Sequence, residues 1–150
     1  MKSKPASKRT RSSGNESPRA SYSAHEIEAF ERGVELFNTR RFFDAHEVWE
    51  EIWLPATGHE KRFLQGIIQI AAAFHHHSRG NFIGTESLLR AGAAKLERAP
   101  RSFRGIHAGR ICIHARRWIA ALEKRSDVRE RVPPRLERAS RSIKASLRVS

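Results

Sequence analysis

The chain of 150 residues has room for one domain with tails, and its formal net charge at pH 7 is +13. Its single cysteine excludes an intrachain disulfide, and no apolar run approaches the roughly 20 residues that cross a bilayer. The N-terminal segment lacks the apolar core of a secretion signal, so these properties predict a cytoplasmic protein.

The excess positive charge is concentrated at the two ends of the chain. Residues 1–22 carry a net charge of +5, residues 125–150 also carry +5, and residues 23–124 carry only +3. We predict that residues 1–22 form a disordered basic tail and that residues 125–150 form a basic extension with at most a short helix from Arg135. Such tails attract nucleic acid or other acidic partners, or serve only as solubilising extensions.

Residues 23–124 contain five segments with apolar residues at helical spacing. The first helix begins at the capping box that starts with Ser23 and ends near Asn38. The second follows Arg41 and ends before Pro55, because the residue before a proline disfavours helical geometry. The later helices are predicted at about 60–78, 83–98 and 106–124, with a turn at residues 80–81 and a loop at 99–105.

No segment shows convincing period-two alternation of apolar and polar residues, so the sequence predicts no strands. The predicted fold is a single all-α bundle of about five helices that occupies residues 23–124. An apolar strip on the first or fifth helix could instead form a homodimer, and periodicity alone does not distinguish these two roles.

His46, Glu50 and Trp53 lie on one face of the second predicted helix, because their spacing is i, i+4, i+7. A histidine and a carboxylate one turn apart can bind one divalent transition metal ion or share a proton. His75, on the apolar side of the third helix, is the predicted cross-helix partner. Trp53, Gln69 and Glu47 are the predicted pocket walls, although Glu47 is rotated away from Glu50.

Three interpretations of this polar group remain open. His46, Glu50 and His75 could form a buried structural hydrogen-bond network, a metal site, or a metal-free binding or acid–base site. A water molecule completing a metal shell would allow metal-assisted hydrolysis. No nucleophile elbow, phosphate-binding loop or dinucleotide fingerprint accompanies the group.

Several motifs that occur in order over residues 30–98 extend this pattern. His46, Glu50 and Trp53 form the motif H-x-x-x-E-x-x-W, with Asp44 where a glutamate is common. The flanking segments are Leu36-Phe37-Asn38, Phe42-Phe43-Asp44-Ala45-His46-Glu47, Phe63-Leu64-Gln65-Gly66-Ile67-Ile68-Gln69, Ala72-Ala73-Phe74-His75, Gly80-Asn81 and Gly84. Together they resemble a bacterial and archaeal family known as domain of unknown function 309.

The resemblance implies a small all-helical fold and a motif suggested to bind metal, with no established activity. The sequence therefore predicts a cytoplasmic protein with a polar site inside the bundle at His46, Glu50 and His75. The alternative is a non-enzymatic interaction module whose basic tails contact nucleic acid or acidic partners.

Overall fold

The structure, a computed structural model of the chain, describes residues 22–125 and 127–138. The predicted all-α bundle is confirmed, with one short hairpin added to it. The elements are α1 (Ala24–Asn38), α2 (Phe42–Trp53), α3 (Gly58–Ser78), α4 (Phe82–Glu97), β1 (Ser102–Phe103), β2 (Ile106–His107) and α5 (Ala108–Glu123). Within the described ranges, no helix is both long and apolar enough to cross a membrane.

Local side-chain contacts fix the starts of two helices. The Ser23 hydroxyl accepts a hydrogen bond from the Glu26 backbone N–H at 3.2 Å, which caps α1 as the sequence predicts. Gly80 has a φ of +75°, a left-handed conformation that glycine adopts without steric cost, and it ends the turn after α3. Asn81 then caps α4, because its side-chain oxygen accepts from the Gly84 N–H at 2.9 Å.

Successive helices pack against each other in chain order, and Trp49 of α2 lies at the centre of the core. Its side chain is fully buried, and its indole N–H donates to the Phe30 carbonyl oxygen at 3.2 Å. The indole also lies directly against the backbone of α1. A Cβ atom added at Gly33 would be only 2.0 Å from Trp49 Nε1. The absence of a side chain at Gly33 therefore allows α1 and α2 to approach closely.

The segment predicted as a loop over residues 99–105 contains half of an antiparallel hairpin. Ser102 pairs with His107, and Phe103 pairs with Ile106. Because Ile106 and His107 belong to β2, α5 begins at Ala108 rather than at the predicted Ile106. Strands of two residues are too short to show alternation, which explains why periodicity did not indicate them.

Residues 127–138, which we call the C-terminal strap, run along the bundle without helical structure. Asn38 holds the strap through the backbone of Leu136. Its side-chain N–H donates to the Leu136 carbonyl at 3.1 Å, and its oxygen accepts from the Leu136 N–H at 2.8 Å. Arg138 then forms a β-bridge with Ile106. Residues 135–138 are therefore extended rather than helical, and the rest of the segment for which a short helix was considered lies outside the described residues.

Residues 1–21 and 139–150 lie outside the described residues, so the predicted disorder of the N-terminal tail is untested. Tyr22, its last residue, packs against Phe103 with 5.7 Å between ring centroids and donates a hydrogen bond to the Glu60 carboxylate. In the described ranges, α1 contributes no large exposed apolar side chain and α5 contributes only Ile113. The predicted homodimer strip therefore finds no support on α1.

Candidate functional site

Helices α2, α3 and α4 surround a cleft of about 230 Å³ that is open to solvent on one side. Helix α2 supplies His46, Glu50 and Trp53 from one face, as their spacing predicts. The complete lining is His46, Glu50, Trp53, Gln65, Ile68, Gln69, Ala72 and Leu88. The cleft thus combines a polar wall from α2 with a mixed wall from α3 and an apolar edge from α4.

His46 and Glu50 form a pair on the α2 wall. His46 Nε2 lies 3.3 Å from Glu50 Oε1, and the two side chains are 25% and 52% exposed, so Glu50 stands at the mouth of the cleft. When Nε2 carries the proton that faces this carboxylate, the other ring nitrogen of neutral His46 is a hydrogen-bond acceptor. The imidazole also stacks on Phe43, with 6.1 Å between ring centroids.

Three of the residues that line the cleft carry a buried polar atom that has no hydrogen-bond partner among the described residues. These atoms are His46 Nδ1, Trp53 Nε1 and Gln69 Oε1, and the other such atom in this part of the chain is Arg104 Nε. Buried polar groups are nearly always paired, because an unpaired one costs about 1–3 kcal/mol. Three of the four such atoms therefore belong to residues that line this one cleft.

His75 and Glu47 do not line this cleft, although the sequence predicted both there. The cleft is lined by α3 residues 65–72, and His75 lies nearly one helical turn beyond Ala72. Its ring contacts Phe43 instead, at 5.2 Å between centroids. Glu47 is exposed, because it is rotated by about 100° from His46 on α2.

The surroundings of His75 favour its neutral form. Burial lowers the pKa of His75 from the ordinary 6.5, and positive charge from Arg79, His76 and His46 lowers this pKa further. Neutral imidazole is the form that can accept a hydrogen bond or bind a metal.

A divalent metal ion fits the cleft only in part. Two ligand atoms that are each about 2.0–2.2 Å from zinc lie roughly 3.3 Å apart in tetrahedral geometry, and the 3.3 Å between His46 Nε2 and Glu50 Oε1 agrees with this. However, no group of three His, Cys, Asp or Glu side chains among the described residues could hold a metal ion. His46 and Glu50 therefore offer two groups of a kind that binds metal, without a third of these residue types among the described residues.

The sequence did not predict the contacts of two residues, Leu88 and His77. Leu88 is half-buried and forms the α4 edge of the cleft. His77 contacts two other segments of the chain, because its Nε2 lies 2.5 Å from the Val128 carbonyl oxygen and its ring packs on Trp118. Gln69 did give an indication, since it interrupts the longest apolar run of α3.

Comparison with known proteins identifies the family. A family model described as "Domain of unknown function (DUF309)" matches residues 30–88. A solved structure, of a conserved hypothetical protein from Thermus thermophilus, is 38% identical with a TM-score of 0.53. The match covers 61% of this chain and 95% of that one. The chain belongs to the DUF309 family. All residues that line the cleft fall within the part that the DUF309 model matches.

Two curated relatives are similar to the chain over shorter stretches. An uncharacterized protein of Aquifex aeolicus strain VF5 is 30% identical over 89 residues, which is 59% of this chain and 27% of that protein. The uncharacterized protein YpuF of Bacillus subtilis strain 168 is 40% identical over 57 residues, which is 37% of this chain and 33% of that protein. The match thus spans a third or less of the length of these relatives, and their descriptions give no activity.

Proposed function

We propose that the cleft between α2, α3 and α4 binds a small polar molecule. The observation that supports this proposal is that three residues of the lining each carry a buried atom without a hydrogen-bond partner, namely His46 Nδ1, Trp53 Nε1 and Gln69 Oε1. A cleft of about 230 Å³ has space for roughly seven water molecules at about 30 Å³ each, or for one small organic molecule. It is smaller than the roughly 300–1,000 Å³ of pockets for drug-sized ligands.

The unpaired atoms specify which groups the ligand must present. The Trp53 indole N–H requires an acceptor, and the Gln69 oxygen requires a donor. His46 Nδ1 requires a second donor when Nε2 carries the proton towards Glu50. A planar amide, urea or amidine edge presents donors and an acceptor side by side, and its body would lie against Ile68 and the neighbouring apolar side chains.

The charge of the lining favours a neutral or cationic ligand over an anion. Glu50 is the acidic residue of the lining, and no lysine or arginine belongs to it. Lys61 lies near the site, 4.5 Å from the centre of the Trp53 ring, but its ammonium group donates to the Leu54 carbonyl at 3.5 Å. An anion in the cleft would therefore face the Glu50 carboxylate without a compensating lining cation.

A divalent metal ion is the second candidate ligand. The donor separation between His46 and Glu50 supports it, and water or the small molecule would have to complete the coordination shell. Both candidates use the same α2 face, so one experiment with two ligand types separates them.

The test uses the indole N–H signals of ¹⁵N-labelled full-length protein. Matched panels of small amides, ureas and amidines, carboxylates of similar size, and zinc chloride are added in turn. We expect the amide-type panel to shift the Trp53 signal while the Trp49 signal, from an indole already bonded to Phe30, stays unchanged. Zinc binding that requires His46 and Glu50, with no response to the organic panels, would favour the second candidate. If neither the organic panels nor zinc chloride shifts the Trp53 signal, both candidate ligands are refuted.

A stability measurement separates a binding site from a structural polar network. Replacing Gln69 by leucine removes a buried unpaired oxygen, so we expect the free energy of unfolding to stay the same or rise by up to about 1–3 kcal/mol. Ligand-induced shifts should disappear in the same variant. The control is Trp49→Phe, which removes a buried N–H that has a partner and should destabilise. Clear destabilisation by Gln69→Leu would mean that Gln69 stabilises the fold.

A further inference from the structure

Charge is distributed unevenly over the described part of the molecule. Residues 22–97 carry eight Lys and Arg against eleven Asp and Glu, a net charge of −3. Residues 98–138 carry twelve Lys and Arg against four Asp and Glu, a net charge of +8, and eleven of the twelve are arginines. The net positive charge of the described residues thus comes from residues 98–138, which include the hairpin, α5 and the strap.

Helix α5 presents a row of basic side chains to solvent. Arg110, His114, Arg117 and Lys124 are exposed and lie on one side of the helix, whereas its opposite side is buried in the core. Arg110, Arg117 and Lys124 follow at intervals of seven residues, which corresponds to about 10.5 Å along the axis at 1.5 Å per residue.

The strap extends this surface. Arg135 lines the same shallow groove as Arg110 and His114, at the N-terminal end of α5. Further along the strap, the Arg131 guanidinium lies 5.4 Å from the centre of the Trp118 ring. We call the group of Arg110, His114, Arg117, Lys124 and Arg135 the α5 basic face.

Carboxylates neutralise little of this face. Arg117, Lys124 and Arg135 form no ion pair with any described residue, and Arg110 has only Glu137 at 4.0 Å. Other arginines in the same region are paired, since Arg138 contacts Glu31 and Arg116 contacts Glu97. Arg117, Lys124 and Arg135 are therefore uncompensated cations that belong to one face of the molecule.

We propose that the α5 basic face binds the phosphodiester backbone of a nucleic acid without sequence preference. A row of uncompensated cations, mostly guanidinium groups that can contact phosphate through two N–H bonds, complements a regular polyanion. A membrane surface is the weaker occupant, because an interfacial helix needs an apolar side to insert and that of α5 is already buried. The face lies outside residues 30–88, so it is independent of the cleft.

The test measures the fluorescence anisotropy of labelled 20-base-pair DNA and RNA duplexes with the full-length protein. The test variant combines Arg117→Ser, Lys124→Ser and Arg135→Ser. Three lost phosphate contacts should lower the slope of log K against log salt by about 2–3, at roughly 0.9 per contact. We expect the affinity at low salt to fall at least tenfold. A loss of affinity for the DNA duplex, for the RNA duplex or for both supports the proposal and shows which nucleic acid the face prefers.

A matched control variant removes the same charge elsewhere on the molecule. It combines Arg32→Ser, Arg79→Ser and Lys95→Ser, which lie on α1, after α3 and on α4. The control should keep the affinity within about threefold and the salt slope nearly unchanged. An equal loss of affinity in the test and control variants, or no loss of affinity in the test variant, would overturn the proposal. Tighter retention on phosphatidylserine vesicles than on either duplex at equal phosphate would overturn nucleic acid as the occupant.

Discussion

Replacing Gly33 by alanine would place a methyl group where the Trp49 indole already lies. The added Cβ would be 2.0 Å from Trp49 Nε1, 2.4 Å from Cε2 and 2.5 Å from Cδ1. These distances are far below van der Waals contact, so either the indole or the α1 backbone must move. The indole is fully buried between the Phe30 and Phe37 rings and has little free space to shift.

The expected loss of stability follows from three contributions. Overpacking a close-packed core typically costs about 1–3 kcal/mol. Moving the indole would also break its hydrogen bond to the Phe30 carbonyl, at a further cost of about 1–3 kcal/mol if the groups stay buried. Alanine is better than glycine in a helix interior by about 1 kcal/mol, which offsets part of the loss. We expect Gly33→Ala to destabilise the fold by about 3 kcal/mol.

Urea unfolding followed by far-ultraviolet circular dichroism measures this change. The control is Gly109→Ala on α5, where an added Cβ meets no atom within 4 Å and stability should be unchanged or slightly higher. In a Trp49→Phe background, Gly33→Ala should cost less, because the smaller ring leaves space for the methyl group. Stabilisation of the wild-type background by Gly33→Ala would refute the close-approach argument.

Two further predictions concern protonation and the strap. Because the pKa of His75 is lowered in the folded state, the folded chain binds fewer protons than the unfolded chain as the pH falls through about 6.5. The free energy of unfolding should therefore decrease as the pH falls from 6.5 towards the pKa of His75 in the folded state. The variant His75→Gln should show a smaller decrease. A titration midpoint of His75 above pH 6.5, measured by NMR, would contradict this prediction. Asn38→Ala removes both hydrogen bonds to Leu136, so trypsin should cleave after Arg135 faster in this variant than in wild type. Asn38→Asp keeps the oxygen that accepts from the Leu136 N–H, so its cleavage rate should be intermediate. Equal cleavage rates in all three proteins would show that Asn38 does not hold the strap.

Helical periodicity was sufficient to predict what a single helix determines by itself. The buried side of α2 carries Phe42, Ala45, Trp49 and Ile52, which follow one another at helical spacing in the sequence. The shared face of His46, Glu50 and Trp53 follows from the same geometry, because residues at i, i+4 and i+7 align on any α-helix.

Periodicity does not determine how far one helix is shifted along its neighbour. His75 lies on the expected side of α3, yet it is nearly one turn beyond the cleft, and such a shift depends on packing across the interface rather than on spacing. The role of His77 depends on Val128, which is 51 residues away in the sequence and has no local indication of that contact. The hairpin was missed because two-residue strands carry no pattern.

Both ends of the described chain contact the same hairpin. Tyr22 packs on Phe103 of β1, and Arg138 bridges to Ile106 of β2. Residues 1–21, with a net charge of +5, and residues 139–150, with +3, are consequently tethered at neighbouring points of the surface. When two segments are attached at neighbouring points, binding of one segment to a partner raises the effective concentration of the other segment at that partner. A partner that contacts one end of the described chain is therefore close to the other end and to the start of α5.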